Sequence, residues 1–241
     1  PVLSSVDPQY EHPQQLWDAL RGSGALTFAH HSAGEPIPTN WTVPPDPELE
    51  PVTEVVSVHG SSEAADSPGQ VRAAIPGNYV RNALDRGYRL GLIGSGDSHD
   101  GHPGLAGLAS PSGGLAALLT DELTRDAVRS TLRQRAVYAT TGQRMLLHAT
   151  LDGERMGSDM PSADAGEPNT ELVVLAIGTQ PILQIDVVRS GALVESVRPE
   201  EPTILQRISR EVPSLGPDEY LYVRVIQADG GVAWSSPFFG G

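Results

Sequence analysis

The sequence predicts an α/β region with parallel strands over residues 1–144, followed by a mainly antiparallel β-sandwich-like domain over 145–241. Three observations carry this expectation. Up to residue 140, apolar strand-like runs alternate with stretches of helical spacing. Each such strand runs into polar residues able to bind a ligand. From Met145 onward, short strand patterns and turn signals follow one another with no clear helix.

Residues 13–22 read as a short helix, with Pro13 at its start, Leu16, Trp17 and Leu20 on one face, and Gly22 stopping it. Ala25 to Ala29 reads as a strand that delivers His30 and His31. After a loop rich in proline and acid (Pro36 to Pro51), the run from Thr53 to Val58 reads as a buried strand that leads into His59-Gly-Ser-Ser-Glu63. Asn78 to Arg86 has helical spacing with an Asn78 N-cap and Gly87 as terminator, and Arg89 to Ser95 forms a third strand opening into Asp97 and His99. A helix over Thr120 to Arg135, capped by Thr120 or Asp121 and apolar at Leu123, Val128 and Leu132, leads to a fourth strand, Ala136 to Ala139. In such a layer or barrel, ligands gather at the carboxyl ends of the strands.

Beyond 145 the strand patterns are Leu146–Leu151, Glu171–Ile177, Ile182–Arg189, Thr203–Ile208, Tyr220–Gln227 and Val232–Phe238. Asp152-Gly153, Ala165-Gly166, Ser190-Gly191 and Asp229-Gly230 punctuate them as turn signals.

Composition bounds the function. With 16 Lys and Arg against 30 Asp and Glu, the net charge of -14 repels nucleic-acid backbones and anionic membranes. An anionic substrate then needs a local positive centre, which bound divalent cations supply. There are no cysteines, which excludes disulfides, thiolate zinc sites and cysteine nucleophiles and leaves the compartment open. No apolar stretch approaches the ~18–20 residues of a membrane span, and the first residues carry no signal-peptide pattern.

Five of the seven histidines, His30, His31, His59, His99 and His102, fall at or just after strand ends. Imidazole and carboxylate are the usual ligands of zinc, manganese and iron, and Asp97-x-His99 points both side chains to one side of a strand tip. His30, Asp97 and His99 are therefore the expected metal ligands, with His31 and His102 as further candidates. Adjacent strand residues face opposite ways, so of His30 and His31 only one is expected to enter the site. His59 and Glu63 read either as a ligand with a general acid/base or as a capping element with an incidental histidine. Glu54, within an apolar strand, must be paired or face solvent. His12 and His148 read as ordinary histidines. Arg135 and Arg144 flank the fourth strand and are candidate phosphate contacts, though helix arginines such as Arg133 are more often solvated. Ser98, His99 and Asp100 are too close in sequence to form a nucleophilic relay, and neither a nucleophile elbow nor a phosphate-binding glycine loop occurs.

At these residues the sequence resembles the PHP (polymerase and histidinol phosphatase) superfamily, and within it a branch with a C-terminal β-domain. Ala29-His30-His31-Ser32 and Gly96-Asp97-Ser98-His99 are similar to its metal motifs. Ser57-x-His59-Gly-Ser-Ser-Glu63, the extension through His102-Pro-Gly, Arg135-x-x-Tyr138-Ala-Thr-Thr-Gly142 and Gln227-Ala-Asp-Gly-Gly-x-Ala-Trp234-Ser-Ser-Pro237 resemble the branch. The resemblance implies the second half of a distorted βα barrel. It also implies two or three divalent ions (Zn, Mn or Fe) and hydrolysis of a small phosphorylated substrate. The superfamily's opening His-x-His motif is missing from this sequence. The expectation is accordingly a C-terminal portion whose N-terminal half is removed or supplied by another chain, in preference to a degenerate relative that no longer assembles the full cluster, weakly active alone and able to form a homo-oligomer through exposed core. The competing class is a binding module in which the β-domain binds carbohydrate or protein and the α/β part is structural.

Overall fold

A computed structural model describes residues 3–99, 101, 113–161 and 169–241. Its layers are β-sheets. The first layer joins β1 (Val52–Ser57), β2 (Gly60–Ser61) and β3 (Gly91–Gly94) in the order β2-β1-β3, with β1 and β3 parallel. The middle layer is built from β4 (Leu115–Leu118), β5 (Val137–Thr140), β9 (Ile182–Arg189), β10 (Ala192–Val197), β12 (Tyr220–Gln227) and β13 (Val232–Ser235). They run in the order β10-β9-β12-β13-β5-β4, with β14 (Phe238–Phe239) also on β12. The third layer has the order β11-β8-β6-β7, from β6 (Leu146–Leu151), β7 (Glu154–Arg155), β8 (Asn169–Ile177) and β11 (Leu205–Pro213). No sheet closes on itself among the described residues.

The middle layer explains the stacking. Along β12 the sequence YLYVRVIQ is a nearly unbroken buried run, as expected of a strand covered on both faces. Leu221, Val223 and Val225 face one core with Leu147, Leu151, Leu172 and Val174 of the third layer. Tyr220 and Tyr222 face a second core with Val55, Val56 and Leu92 of the first layer, Leu84 of the helix Val80–Leu84, and Trp234 of β13. Period-two alternation thus splits one strand between two cores.

The expected α/β half-barrel is corrected by this arrangement. Among the described residues there are three helices, α1 (Pro13–Leu20), α2 (Val80–Leu84) and α3 (Arg125–Arg133), of eight, five and nine residues. α3 fully buries only Thr131 and packs Leu132 against Val52, Ile93 and Val137, so it covers a small part of a sheet face instead of forming a barrel layer. The fourth strand, here β5, pairs antiparallel with both β4 and β13, so it joins the middle layer rather than a parallel barrel. Alternation of helical and strand spacing was legible; strand direction is set by partners far away in sequence. The stretch expected as a strand at Ala25 to Ala29 is extended beside β1, with Thr27 N–H donating to Leu49 O at 2.7 Å and Glu54 N–H to Ala29 O at 2.9 Å. No helix of the described residues is long and apolar enough to cross a membrane.

The first layer sets the site. The segment ending in His31, β1 ending before His59, and β3 ending before Asp97 all bring their carboxyl ends to one edge. Gly94 lets β3 pass against β4 and β5, since a Cβ there would lie 2.7 Å from Leu115 O and 3.0 Å from Thr140 O.

A candidate metal centre

The three strand ends converge on Asp97. Its Oδ2 lies 3.1 Å from His59 Nε2 and 3.9 Å from His30 Nδ1, and its Oδ1 lies 3.9 Å from His99 Nε2. His30, His31 and Asp97 form one group of donor atoms all within 4.8 Å of one another, and His59, Asp97 and His99 form a second. Instead of one triad of His30, Asp97 and His99, the chain builds two triads that share a carboxylate. The rings of His30 and His31 sit 4.1 Å apart, His31 and His59 5.3 Å, and His59 and His99 5.7 Å.

Backbone geometry makes this possible. His31 has φ of +29° and Asp97 φ of +42°, both in the left-handed region that disfavours side chains bearing a Cβ. Non-glycine residues held there are enriched at functional sites. The kink at His31 also explains why both His30 and His31 enter the cluster, against the strand alternation expected from sequence. Gly60, at φ +107°, turns the chain directly after His59, and a Cβ there would lie 2.7 Å from Gly69 O.

Beneath the cluster, Glu54 is buried within β1. Its Oε1 accepts the His31 main-chain N–H at 2.8 Å, and its Oε2 accepts the Ser95 hydroxyl. Burial raises its pKa, partly offset by these two donors. The sequence required Glu54 either to be paired or to face solvent. It is paired to the stems of two of the tips.

The donor set can be tested against a metal ion. Asp97 Oδ2 and His31 Nδ1 are both buried and neither makes a well-formed hydrogen bond, the nearest group to Oδ2 being the His59 Nε2 at 3.1 Å. A carboxylate oxygen among imidazole nitrogens, with no donor of its own, matches the chemistry of nitrogen and oxygen ligands to zinc, manganese or iron. The residues fit such an ion. The cluster opens into a cleft of about 480 Å³ lined by His31, His59, His99, Gly34, Glu35, Arg72 and neighbouring residues.

Other expected site residues lie elsewhere. Glu63 is buried, and its carboxylate accepts from Tyr222 Oη at 2.6 Å, Trp234 Nε1 at 2.7 Å, Ser67 Oγ at 2.8 Å and Arg224 Nη1 at 3.0 Å. Arg81 Nη2 approaches at 3.3 Å, and Arg224 continues to Asp186 at 2.8 Å. Burial, and then the Glu63 charge, push the Tyr222 phenol well above its ordinary pKa, so it stays a donor. Glu63 is thus the anchor between the first and middle layers, with no histidine among its hydrogen-bond partners. Arg135 donates from Nη2 to Asp159 at 2.8 Å and from Nε to Gly157 O at 3.0 Å, and covers the Phe239 ring at 5.3 Å. Arg144 and His148 are exposed. His12 caps α1 through its main-chain N–H to Gln15 Oε1 at 2.9 Å. His102 lies outside the described residues.

Fold and site together define a layered β protein with a histidine and aspartate cleft at a sheet edge. A family described as "Protein of unknown function (DUF3604)" matches residues 105–165, beyond His99. An uncharacterized protein of Chlamydia trachomatis is 28% identical over 217 residues, covering 80% of this chain and 35% of its own length. An uncharacterized protein of Chlamydia pneumoniae is 27% identical over 216 residues, covering 80% of this chain and 34% of its own length. The chain spans about a third of the length of the curated relatives it matches. No solved structure matches. These findings and the mostly β architecture overturn the PHP resemblance: the family that matches is another one, and the βα units of a barrel are not formed by the described residues.

Proposed function

We propose that the cleft holds divalent metal ions and that the protein is a metal-dependent hydrolase of phosphate esters. The single observation that carries this reading is Asp97: it belongs to both triads, and its buried Oδ2 makes no well-formed hydrogen bond although imidazole nitrogens stand 3.1 and 3.9 Å away. Two sites sharing one carboxylate suit a pair of ions, with His30 and His31 on one side and His59 and His99 on the other. Bound ions of this kind lower the pKa of water and neutralise charge on a phosphoryl group.

The chain's own residues supply position and desolvation. Asp97 is mostly shielded, with its side chain 18% exposed, whereas His99 is 74% exposed and borders the open cleft. The buried carboxylate fixes the centre and the outer imidazoles face the substrate. Glu54 holds His31 and Ser95 from below, which limits movement of the tips. In the hydrolysis, water oxygen forms the new bond to phosphorus as the ester P–O bond breaks, and the departing alcohol takes up the proton that water releases.

Metal analysis after equilibration with zinc or manganese tests the reading. The expected result is about two ions per chain, fewer in Asp97→Asn, and turnover of p-nitrophenyl phosphate that follows metal content. Folded protein that retains no divalent ion, or turnover indifferent to Asp97→Asn, would sink it.

A further inference from the structure

Arg72 lines the cleft beside His31, His59 and His99, and among the described residues it makes no ion pair or side-chain hydrogen bond. Its exposure is that of a solvated arginine, but its backbone is held at both ends. Arg72 N–H donates to His59 O at 3.3 Å, and Val71 N–H donates to Ser61 O at 2.7 Å, tying the segment to the hairpin that carries His59. On the other side Ile75 N–H donates to Ala33 O at 2.8 Å, and Ala74 bridges Gly34, tying it to the turn after His31. Val71 is buried with Ala33 and Tyr79 and roots the segment. The next residue, Ala73, has φ of +52°, so the chain bends directly after the arginine. Arg72 is therefore carried on a strap between two histidine-bearing tips.

We infer that Arg72 is the anion-recognising residue of the cleft and selects substrates with a terminal, doubly charged phosphoryl group, that is, phosphate monoesters over diesters. The inference rests on the proposed hydrolase reading and adds the substrate class to it. A guanidinium presents a rigid fork of donors that matches two phosphoryl oxygens at once. A monoester offers such a pair of terminal oxygens while still facing the metal cluster; a diester has a second ester group in that place and half the charge. In a chain of net charge -14, a cation lining the cleft is also set against the general field. The Glu35 carboxylate lines the same cleft and opposes it. Removal of either charge then shifts anion affinity in opposite directions.

The test is calorimetric titration of inorganic phosphate into the full chain, metal-loaded and metal-free, for the unsubstituted protein, Arg72→Gln, Arg72→Lys and Glu35→Gln. Circular dichroism and metal content serve as controls. Arg72→Gln is expected to weaken phosphate binding about ten-fold or more with metal content unchanged. Arg72→Lys should recover part of the loss, because it keeps the charge without the fork, and Glu35→Gln should tighten binding. In turnover, Arg72→Gln should raise KM for p-nitrophenyl phosphate and leave KM for bis-p-nitrophenyl phosphate unchanged. Phosphate affinity indifferent to Arg72 in protein with full metal content overturns this inference and leaves the metal reading standing. An Arg72-dependent phosphate site in a protein that binds no metal does the reverse. If neither metal nor phosphate binds, both fall.

Discussion

Glu54 Oε1 accepts the main-chain N–H of His31 at 2.8 Å, so a buried carboxylate inside β1 holds the kinked residue from which the histidine cluster starts. Its other oxygen takes the Ser95 hydroxyl, two residues before Asp97. Replacement by alanine leaves both donors without their acceptor. Glu54→Ala is expected to lower stability by about 1–3 kcal/mol and metal affinity by about 10–100-fold. Urea denaturation and metal titration measure the two losses. Unchanged metal affinity in a folded Glu54→Ala protein would show that the tips are held without it.

Glu63 makes a sharper structural prediction. Its partners Tyr222, Arg224 and Trp234 come from β12 and β13, and removal of its charge leaves Arg224 buried against Asp186 alone. Glu63→Gln is expected to cost about 3–5 kcal/mol, seen as a lower denaturation midpoint at an unchanged slope. Metal content per folded chain should stay the same. Loss of turnover with stability intact would instead make Glu63 an acid/base.

Arg135 and Arg144 separate a tie from a solvated charge. Arg135→Ala removes two hydrogen bonds and the cover over Phe239, an expected loss of about 1–2 kcal/mol, discounted because Asp159 is half exposed. Arg144→Ala should fall within about 0.5 kcal/mol of the unsubstituted protein. Both should keep their turnover when measured well below the unfolding midpoint. A selective rise in KM in either variant would restore it as a substrate contact.

Glu50 gives a pH signature away from the cluster. Burial raises its pKa above the ordinary value, with Thr27 and Trp17 offsetting part of the shift. A raised carboxyl pKa penalises the charged form in the folded state only. The penalty is missing below the ordinary glutamate pKa of about 4.3, grows as pH rises through the folded pKa, and is constant beyond it. Glu50→Gln should therefore gain stability relative to the unsubstituted protein at neutral pH and lose that advantage near pH ~4. Denaturation midpoints across this range decide; a difference independent of pH would refute the assignment.

The sequence by itself determined the parts of the site that depend on local pattern. Asp97-x-His99 and the histidines at 30, 31 and 59 follow apolar runs, and a run that ends in ligand-type residues exposes them at an edge whatever the sheet around it. The strand patterns of β6, β9 and β12 were legible to the residue, since period-two burial and glycine turns are local. The positive φ of Ser190 and Gly191 is what the Ser-Gly signal there requires. Tertiary structure decided what periodicity cannot carry. A buried run does not state which strand will lie beside it or in which direction, so β5 was legible as a strand and illegible as an antiparallel member of the middle layer. The same holds for partners: Glu63 meets Trp234 across a separation of 171 residues, and Arg135 meets Asp159 across 24. The kink at His31, which brings both neighbouring histidines to Asp97, is held by Glu54 beneath it, a contact across 23 residues that neither sequence spacing nor strand alternation encodes.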